Sequence, residues 1–363
     1  MIKKSSHKHS HFIITVITVT IALILLSISY IIHTTFTTQE ESNYQKAFMW
    51  QIKNKGVVGI TVNISSEYKQ RMVEWRVAKN DVDTLILGSS TVMGIKADMF
   101  KNHVVFNGAT NSNILYYTIG VAKYHSKYTH SIKNIIIGFD WALGLPYLPY
   151  KNIKHTPNIE QKTTPNLIDK IKDAVSYQRV KIVFLNVIDH LFADPISQYT
   201  CPTENTIGTD QFFKTDIPKS CRGYRFDGSA IFPNRHLSEK EWLDTLKNGL
   251  GKYQKHFDIH LGTIDSRYLN DFNEIRKNLE KKGGKLIILI PPLMPNATTT
   301  MEKVKKKTYT KKLHRLLAFT KEHNITIINA SKSEDFACTY SDFLDSHHAF
   351  ASCYEKILHH VSF

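Results

Sequence analysis

The feature that most constrains the fold is an alternation of short apolar segments with longer amphipathic ones. Five segments have the length and composition of buried β-strands, namely 83–87, 104–106, 134–140, 285–290 and 325–329. Helical patterns follow them at about 114–127, 264–282, 300–323 and 350–361. Apolar strands that alternate with helices imply a parallel sheet with right-handed crossovers. The sequence therefore predicts an α/β domain over residues 83–363 with a central parallel sheet of about five strands.

A long stretch in the middle of the chain breaks this alternation. Residues 146–165 are rich in Pro, Lys, Asn and Thr, which is typical of an exposed loop. Helices are predicted at 167–175, 179–192 and 238–256, in addition to the helix at 264–282, and 224–229 is predicted to form a turn. The domain is thus expected to carry a mostly helical insertion at about 141–284.

The N-terminal segment predicts a location. Residues 12–32 form an uncharged run of 21 residues, and a membrane-spanning helix needs roughly 20. Lysines precede the run, and Gln39, Glu40 and Glu41 follow it. The positive-inside rule then puts residues 1–11 in the cytoplasm, and residues 33–82 become a periplasmic stalk and lead-in. A cleaved signal peptide is the alternative, but its apolar core would span only about 7–15 residues. We expect a single-pass inner-membrane protein that contacts the lipid bilayer through residues 12–32.

The charge of the chain restricts its partners. Among 363 residues, 47 Lys and Arg face 32 Asp and Glu, which gives a formal net charge of +15. Such a balance favours anionic partners, including acidic envelope polymers. We find no helix-turn-helix, zinc-finger or ribonucleoprotein pattern, so nucleic acid is not a predicted partner. No phosphate-binding glycine loop is present either, and no cofactor is predicted.

The four cysteines fit an oxidising compartment. Cys201 and Cys221 bracket a polar loop, whereas Cys338 and Cys353 bracket a stretch near the C-terminus. An even count outside the cytoplasm predicts two local disulfides. Metal binding and four free thiols are the alternatives. No pair has Cys-x-x-Cys spacing, so no metal site is predicted.

Two distant segments supply the residue types of a nucleophilic site. Ser90 follows the first strand of the α/β region, and Asp345-Ser346-His347-His348 follows the last. A serine hydroxyl needs a base within hydrogen-bond reach, and histidine suits that role near neutral pH. The three-residue spacing lets Asp345 accept a hydrogen bond from His348 and fix its tautomer. Both segments follow strands, so they can meet at the carboxyl edge of a doubly wound sheet.

In these motifs the chain resembles the SGNH, or GDSL-like, hydrolase superfamily. Gly88-Ser89-Ser90 corresponds to the block with the nucleophilic serine, and Asp345 to His348 correspond to the Asp-x-x-His block. The resemblance covers residues 83–140 and 285–361 and leaves the insertion unmatched. With its N-terminal anchor, the chain is most similar to the cell-envelope branch, which includes the teichoic-acid D-alanylation protein and polysaccharide O-acetyltransferases. The resemblance implies a flavodoxin-like three-layer sandwich, an anionic or acylated envelope glycan as substrate and a membrane-bound acyltransferase as partner.

The family's oxyanion-binding residues are matched less well. The family uses the serine N–H, a glycine after the second strand and an asparagine after the third. Gly108 corresponds to the glycine, although Asn111 lies in the same turn, and Asp140 stands where the asparagine is expected. An ionised aspartate would repel a developing oxyanion. Asp140 is therefore protonated, or it orients another group, or Asn111 or Asn113 is the donor, or the chemistry has been lost.

Two functional hypotheses follow. The first is a membrane-anchored serine esterase or O-acyltransferase that modifies an envelope polysaccharide through Ser90, His348 and Asp345. The second is a catalytically inactive relative that binds polysaccharide or scaffolds an envelope assembly.

Overall fold

A computed structural model describes the chain over 12–21, 23, 27, 47–53, 57–59, 65–79, 81–110, 115–139, 213–214, 223–232, 240–245, 247 and 264–359. The chain divides into two units, Met1–Lys46 with Glu160–Thr200, and Ala47–Ile159 with Cys201–Phe363. In the first unit, residues 12–21 are helical and their side chains are exposed. No helix among the residues listed above is both long enough and apolar enough to cross a membrane.

The second unit contains the α/β core. Its strands, in chain order, are β1 Val57–Gly59, β2 Thr84–Leu87, β3 Val105–Asn107, β4 Asn134–Gly138, β5 Phe213–Lys214, β6 Gly223–Tyr224, β7 Ala230–Ile231, β8 Leu286–Ile290 and β9 Thr326–Asn329. Its helices are α1 Ser65–Ala78, α2 Leu115–Tyr128, α3 Ser266–Glu280, α4 Ala297–Glu322 and α5 Ala351–Leu358. The predicted helices at 114–127, 264–282, 300–323 and 350–361 are confirmed within one turn at each end.

A five-stranded parallel sheet forms the centre of this unit, as the alternation predicts. Its order is β3-β2-β4-β8-β9, and all four pairings are parallel. Every residue of β2, β4 and β8 is buried, which explains their uninterrupted apolar runs. The chain moves from β2 to β3 on one side and then to β4 on the other side of β2. Ligands bind at such switch points in open α/β sheets, and Ser90 follows β2 directly.

A second, smaller sheet that the sequence did not predict combines β5, β6 and β7 of the insertion with β1 of the lead-in. It is antiparallel, in the order β5-β1-β6-β7. Strands of two residues leave no period-2 pattern, which is why a mostly helical insertion was expected. Residues 240–245 and 247 are helical, within the predicted helix 238–256. The helices predicted at 167–175 and 179–192 lie outside the described residues.

Part of the predicted lead-in belongs to the folded unit. The Gln51 side chain donates to the Tyr224 carbonyl at 3.0 Å and accepts from the Tyr68 hydroxyl at 2.7 Å. Helix α1 also places Met72 and Val73 in the core. The folded α/β unit therefore includes residues that precede the predicted domain start at residue 83.

A buried lysine on α1 joins the sheet to the insertion. The Lys69 ammonium donates to the Asn107 carbonyl at 2.5 Å and to the Gly228 carbonyl. It also lies 4.4 Å from the centre of the Tyr224 ring. Burial lowers the pKa of Lys69 to about 7, although the charge of Asp227 acts in the opposite direction. Lys69 thus holds the 223–232 segment against the edge strand β3.

Candidate active site

A sharp turn follows β2 and carries two serines whose hydroxyl groups have different hydrogen-bond partners. Gly88 has φ +155°, and a Cβ there would lie 2.8 Å from Val92 Cγ2. The Ser89 hydroxyl accepts from the Thr91 N–H at 3.3 Å and lies 2.8 Å from the Thr91 hydroxyl. Ser89 therefore caps the short 3₁₀ turn Ser90–Val92. The next hydroxyl, that of Ser90, points to the C-terminal segment.

Ser90, His348 and Asp345 form one continuous hydrogen-bonded series. His348 Nε2 lies 2.8 Å from Ser90 Oγ, and His348 Nδ1 lies 2.8 Å from Asp345 Oδ2. A carboxylate can only accept, so Nδ1 carries the proton and Nε2 accepts from the Ser90 hydroxyl. The structure thus brings together the three residues that the sequence singled out, in the connectivity of a serine–histidine–aspartate triad.

Asp345 is held in its ionised form. Its Oδ1 accepts from the backbone N–H groups of His347 and His348, both at 3.0 Å. Burial raises the pKa of Asp345, but the His348 hydrogen bond, the two imidazoles and the His347 N–H outweigh it and hold that pKa well below its usual range. An ionised Asp345 can stabilise a positive charge on His348.

The loop that carries Asp345 and His348 is closed by covalent and backbone bonds. Cys338 and Cys353 form a disulfide across a separation of 15 residues, which confirms one of the two predicted bridges. Cys201 and Cys221 lie outside the described residues. Inside this loop, the Leu344 N–H donates to the His348 carbonyl at 2.8 Å. The Met294 N–H, in the segment after β8, donates to the Ser346 carbonyl at 3.0 Å.

The nucleophile turn and the histidine loop also contact each other directly. The Tyr354 hydroxyl, on α5, donates to the Thr91 carbonyl. Gly94 lies against the backbone next to His348, because a Cβ at Gly94 would be 2.5 Å from the Ala349 carbonyl oxygen. These contacts fix the distance between Ser90 and His348 from both sides.

The N–H of Gly108, which the sequence predicts as an oxyanion donor, is hydrogen-bonded to the backbone. Its N–H donates to the Ile86 carbonyl at 2.8 Å, and a Cβ at Gly108 would lie 2.7 Å from Val73 Cγ2. The neighbouring N–H groups of Ala109 and Thr110 are also used, on Asn107 Oδ1 and the Gly88 carbonyl. The Ser90 N–H, in contrast, donates no hydrogen bond within the described part of the chain. Asn111, Asn113 and Asp140 lie outside that part.

Two aromatic neighbours of His348 were not singled out by the sequence. The ring centre of His347 lies 4.0 Å from that of His348, and His347 Nδ1 lies 3.2 Å from Asp345 Oδ1. The ring centre of Phe232, directly after β7, lies 5.8 Å from that of His348. The adjacent pair of histidines in the sequence could have indicated His347. Nothing local in the sequence distinguishes Phe232 from other aromatic residues.

Asp345, His347 and His348 also offer three ligand atoms within 4.8 Å of one another. That spacing could hold a metal ion. Both ring nitrogens of His348, however, already lie 2.8 Å from hydrogen-bonding partners, Ser90 and Asp345. The triad accounts for these atoms without an ion.

Comparison of the chain with protein-family models, with curated proteins and with solved structures finds no match.

Proposed function

We propose that this protein is a serine esterase or O-acyltransferase that acts on acyl esters of a cell-envelope polysaccharide. The observation that carries the proposal is the Ser90–His348–Asp345 series, with both hydrogen bonds at 2.8 Å. The His348 and Asp345 side chains are 17% and 31% exposed, so solvent and substrate can reach the pair.

The chemistry proceeds in two balanced steps. Ser90 Oγ attacks the acyl carbonyl carbon while His348 Nε2 takes the hydroxyl proton. The bond between the acyl carbon and the sugar oxygen then breaks, and Nε2 returns the proton to that oxygen. Water or a second sugar hydroxyl attacks the acyl-serine, again losing its proton to His348. The bond between the acyl carbon and Ser90 Oγ then breaks, and Nε2 returns the proton to Oγ as the acid or the new ester leaves.

The negative charge of each tetrahedral intermediate needs hydrogen-bond donors. The Ser90 N–H is one, since it belongs to the residue whose hydroxyl attacks the carbonyl and donates no hydrogen bond within the described residues. The Gly108 N–H does not serve, because it is bonded to the Ile86 carbonyl. Asn111 and Asn113 remain candidates for the second donor.

The substrate class and location rest on the sequence. The Gly88-Ser89-Ser90 and Asp-x-x-His blocks resemble those of SGNH hydrolases of the cell-envelope branch. The net charge of +15 favours an anionic glycan. Residues 12–32 would anchor the protein in the inner membrane with the α/β unit in the periplasm, where a membrane-bound acyltransferase could supply acyl groups.

Hydrolysis of an aryl acetate tests the proposal, with and without an acetylated oligosaccharide as competitor. Wild type should release acetate, and Ser90→Ala should reduce kcat by at least about 10³-fold, because the nucleophile is lost. Ser89→Ala is the matched control and should keep more than a tenth of kcat, because the Ser89 hydroxyl bonds to Thr91 and caps the turn. Equal losses in both variants would contradict the assignment of Ser90.

The aspartate at position 140 favours a second candidate, a non-catalytic polysaccharide-binding protein. In that case wild type hydrolyses no ester, and glycan binding is the same in wild type, Ser90→Ala and His348→Ala.

A further inference from the structure

The insertion places an aromatic ring beside the catalytic base. Phe232 directly follows β7, and its ring centre is 5.8 Å from that of His348 and 6.5 Å from that of Phe350. The Phe232 side chain is partly exposed, although an aromatic ring gains most by full burial. Neither the Ser90 chemistry nor the packing of the core explains this position.

Backbone hydrogen bonds fix the segment that carries Phe232. The Ala230 N–H donates to the Met93 carbonyl at 2.8 Å, three residues after Ser90 in the sequence. The Asp227 carbonyl accepts from the Asn107 N–H at 2.7 Å, and Asp227 Oδ2 accepts from the Ala97 N–H at 2.7 Å. The insertion is thus bonded to the segment after Ser90 and to the end of β3, and Phe232 has a defined position relative to His348.

The proposed reaction determines what must occupy the space next to this ring. To receive a proton, the leaving sugar oxygen has to come within about 3 Å of His348 Nε2. The sugar ring is attached to that oxygen directly or through one carbon atom. It must therefore lie within a few ångströms of the imidazole, and Phe232 is an aromatic ring of the insertion at that range from His348.

We propose that Phe232 forms a subsite for the sugar ring that bears the acyl ester. This inference rests on the proposed function. A pyranose ring presents a face of C–H groups that can pack flat on an aromatic ring, which offers a large rigid apolar surface. An open-chain polyol has no such face. The subsite therefore selects esters on sugar rings over esters on polyol chains such as glycerol or ribitol units.

The test compares two acetyl esters of similar reactivity, an acetylated methyl pyranoside and acetylated glycerol. In wild type, kcat/KM should be higher for the pyranoside ester. In Phe232→Ala the ratio of the two kcat/KM values should fall by at least about tenfold, in Phe232→Leu it should fall partly, and in Phe232→Trp it should be kept. Ile231→Ala is the matched control, because it shortens the neighbouring apolar side chain of the same segment and keeps the Phe232 ring, and it should leave the ratio unchanged.

Binding provides a readout that does not need turnover. Saturation-transfer NMR should detect the unacetylated methyl pyranoside on Ser90→Ala protein and lose most of that signal when Phe232→Ala is added. A ratio and a binding signal that are both unchanged in Phe232→Ala would overturn the subsite. Wild type that hydrolyses neither ester would instead refute the proposed function, and the binding experiment would still decide whether Phe232 contacts sugar.

Discussion

His348 Nε2 lies 2.8 Å from Ser90 Oγ, although 258 residues separate the two in the sequence. The switch point of the parallel sheet brings the turn after β2 to its carboxyl edge, and a disulfide-closed loop after β9 reaches the same place. The topology of the sheet therefore brings the parts of the site together, and substitutions in each part should have separate effects.

The two adjacent histidines should have unequal effects. His348→Gln removes the base and should reduce kcat by at least about 10³-fold. His347→Gln removes only a neighbouring ring whose Nδ1 lies 3.2 Å from Asp345, and should cost less than about tenfold. Steady-state kinetics on an aryl acetate measure both values, with circular dichroism as the check on folding. A larger loss in His347→Gln would mean that the wrong histidine has been assigned as the base.

The disulfide should contribute to both stability and activity. Cys338→Ser combined with Cys353→Ser opens a loop with a separation of 15 residues, which costs about 3 kcal/mol in the chain-entropy model. The free energy of unfolding, measured with urea, should fall by roughly that amount. Because the loop carries Asp345 and His348, kcat should fall as well. Unchanged stability in the double variant would contradict this role.

Gly94 should be required for the alignment of the two loops. A Cβ at this position would lie 2.5 Å from the Ala349 carbonyl oxygen, so Gly94→Ala should push the His348 loop away and reduce kcat by at least about tenfold. Gly283→Ala is the control, since Gly283 has φ +72° but nothing within 4 Å of an added Cβ. That variant should lose about 1–2 kcal/mol of stability through backbone strain alone and keep its kcat. Comparable kcat values for the two variants would argue against a close fit at Gly94.

Lys69 should make stability depend on pH in the neutral to alkaline range. Its pKa is lowered from 10.5 to about 7 in the folded protein. Between these two values the unfolded chain binds the proton more strongly than the folded chain, so the free energy of unfolding should rise as the pH increases from about 7 to about 10. Lys69→Met removes the titrating group at similar volume. Urea unfolding at several pH values should give a steeper rise for wild type than for Lys69→Met, and identical slopes would contradict the lowered pKa.

The sequence predicted most of the core and little of its surroundings. Buried strands such as β4 and β8 carry continuous apolar runs that identify them without tertiary information. Asp345 and His348 were predictable because their contact is local, within three residues. The small antiparallel sheet was not predictable, because its strands β5, β6 and β7 have two residues each.

Other features depend on contacts between distant segments. Lysine is rarely buried, so nothing in the sequence of α1 indicates that Lys69 bonds to the carbonyls of Asn107 and Gly228. Likewise, the position of Gly108 after β3 predicts an oxyanion donor. Its N–H donates instead to the Ile86 carbonyl, a hydrogen bond that follows from the pairing of β2 and β3 in the folded chain.

The role of Ser90 as nucleophile is tested most directly by the intact mass of the protein after brief exposure to an activated acetyl ester or a fluorophosphonate. One acetyl or phosphonyl group should be added to wild type, and peptide mapping should place it on Ser90. The group should be absent from Ser90→Ala and His348→Gln but present in Ser89→Ala. No modification of wild type, or modification that persists in Ser90→Ala, would contradict the assignment of Ser90 as a nucleophile.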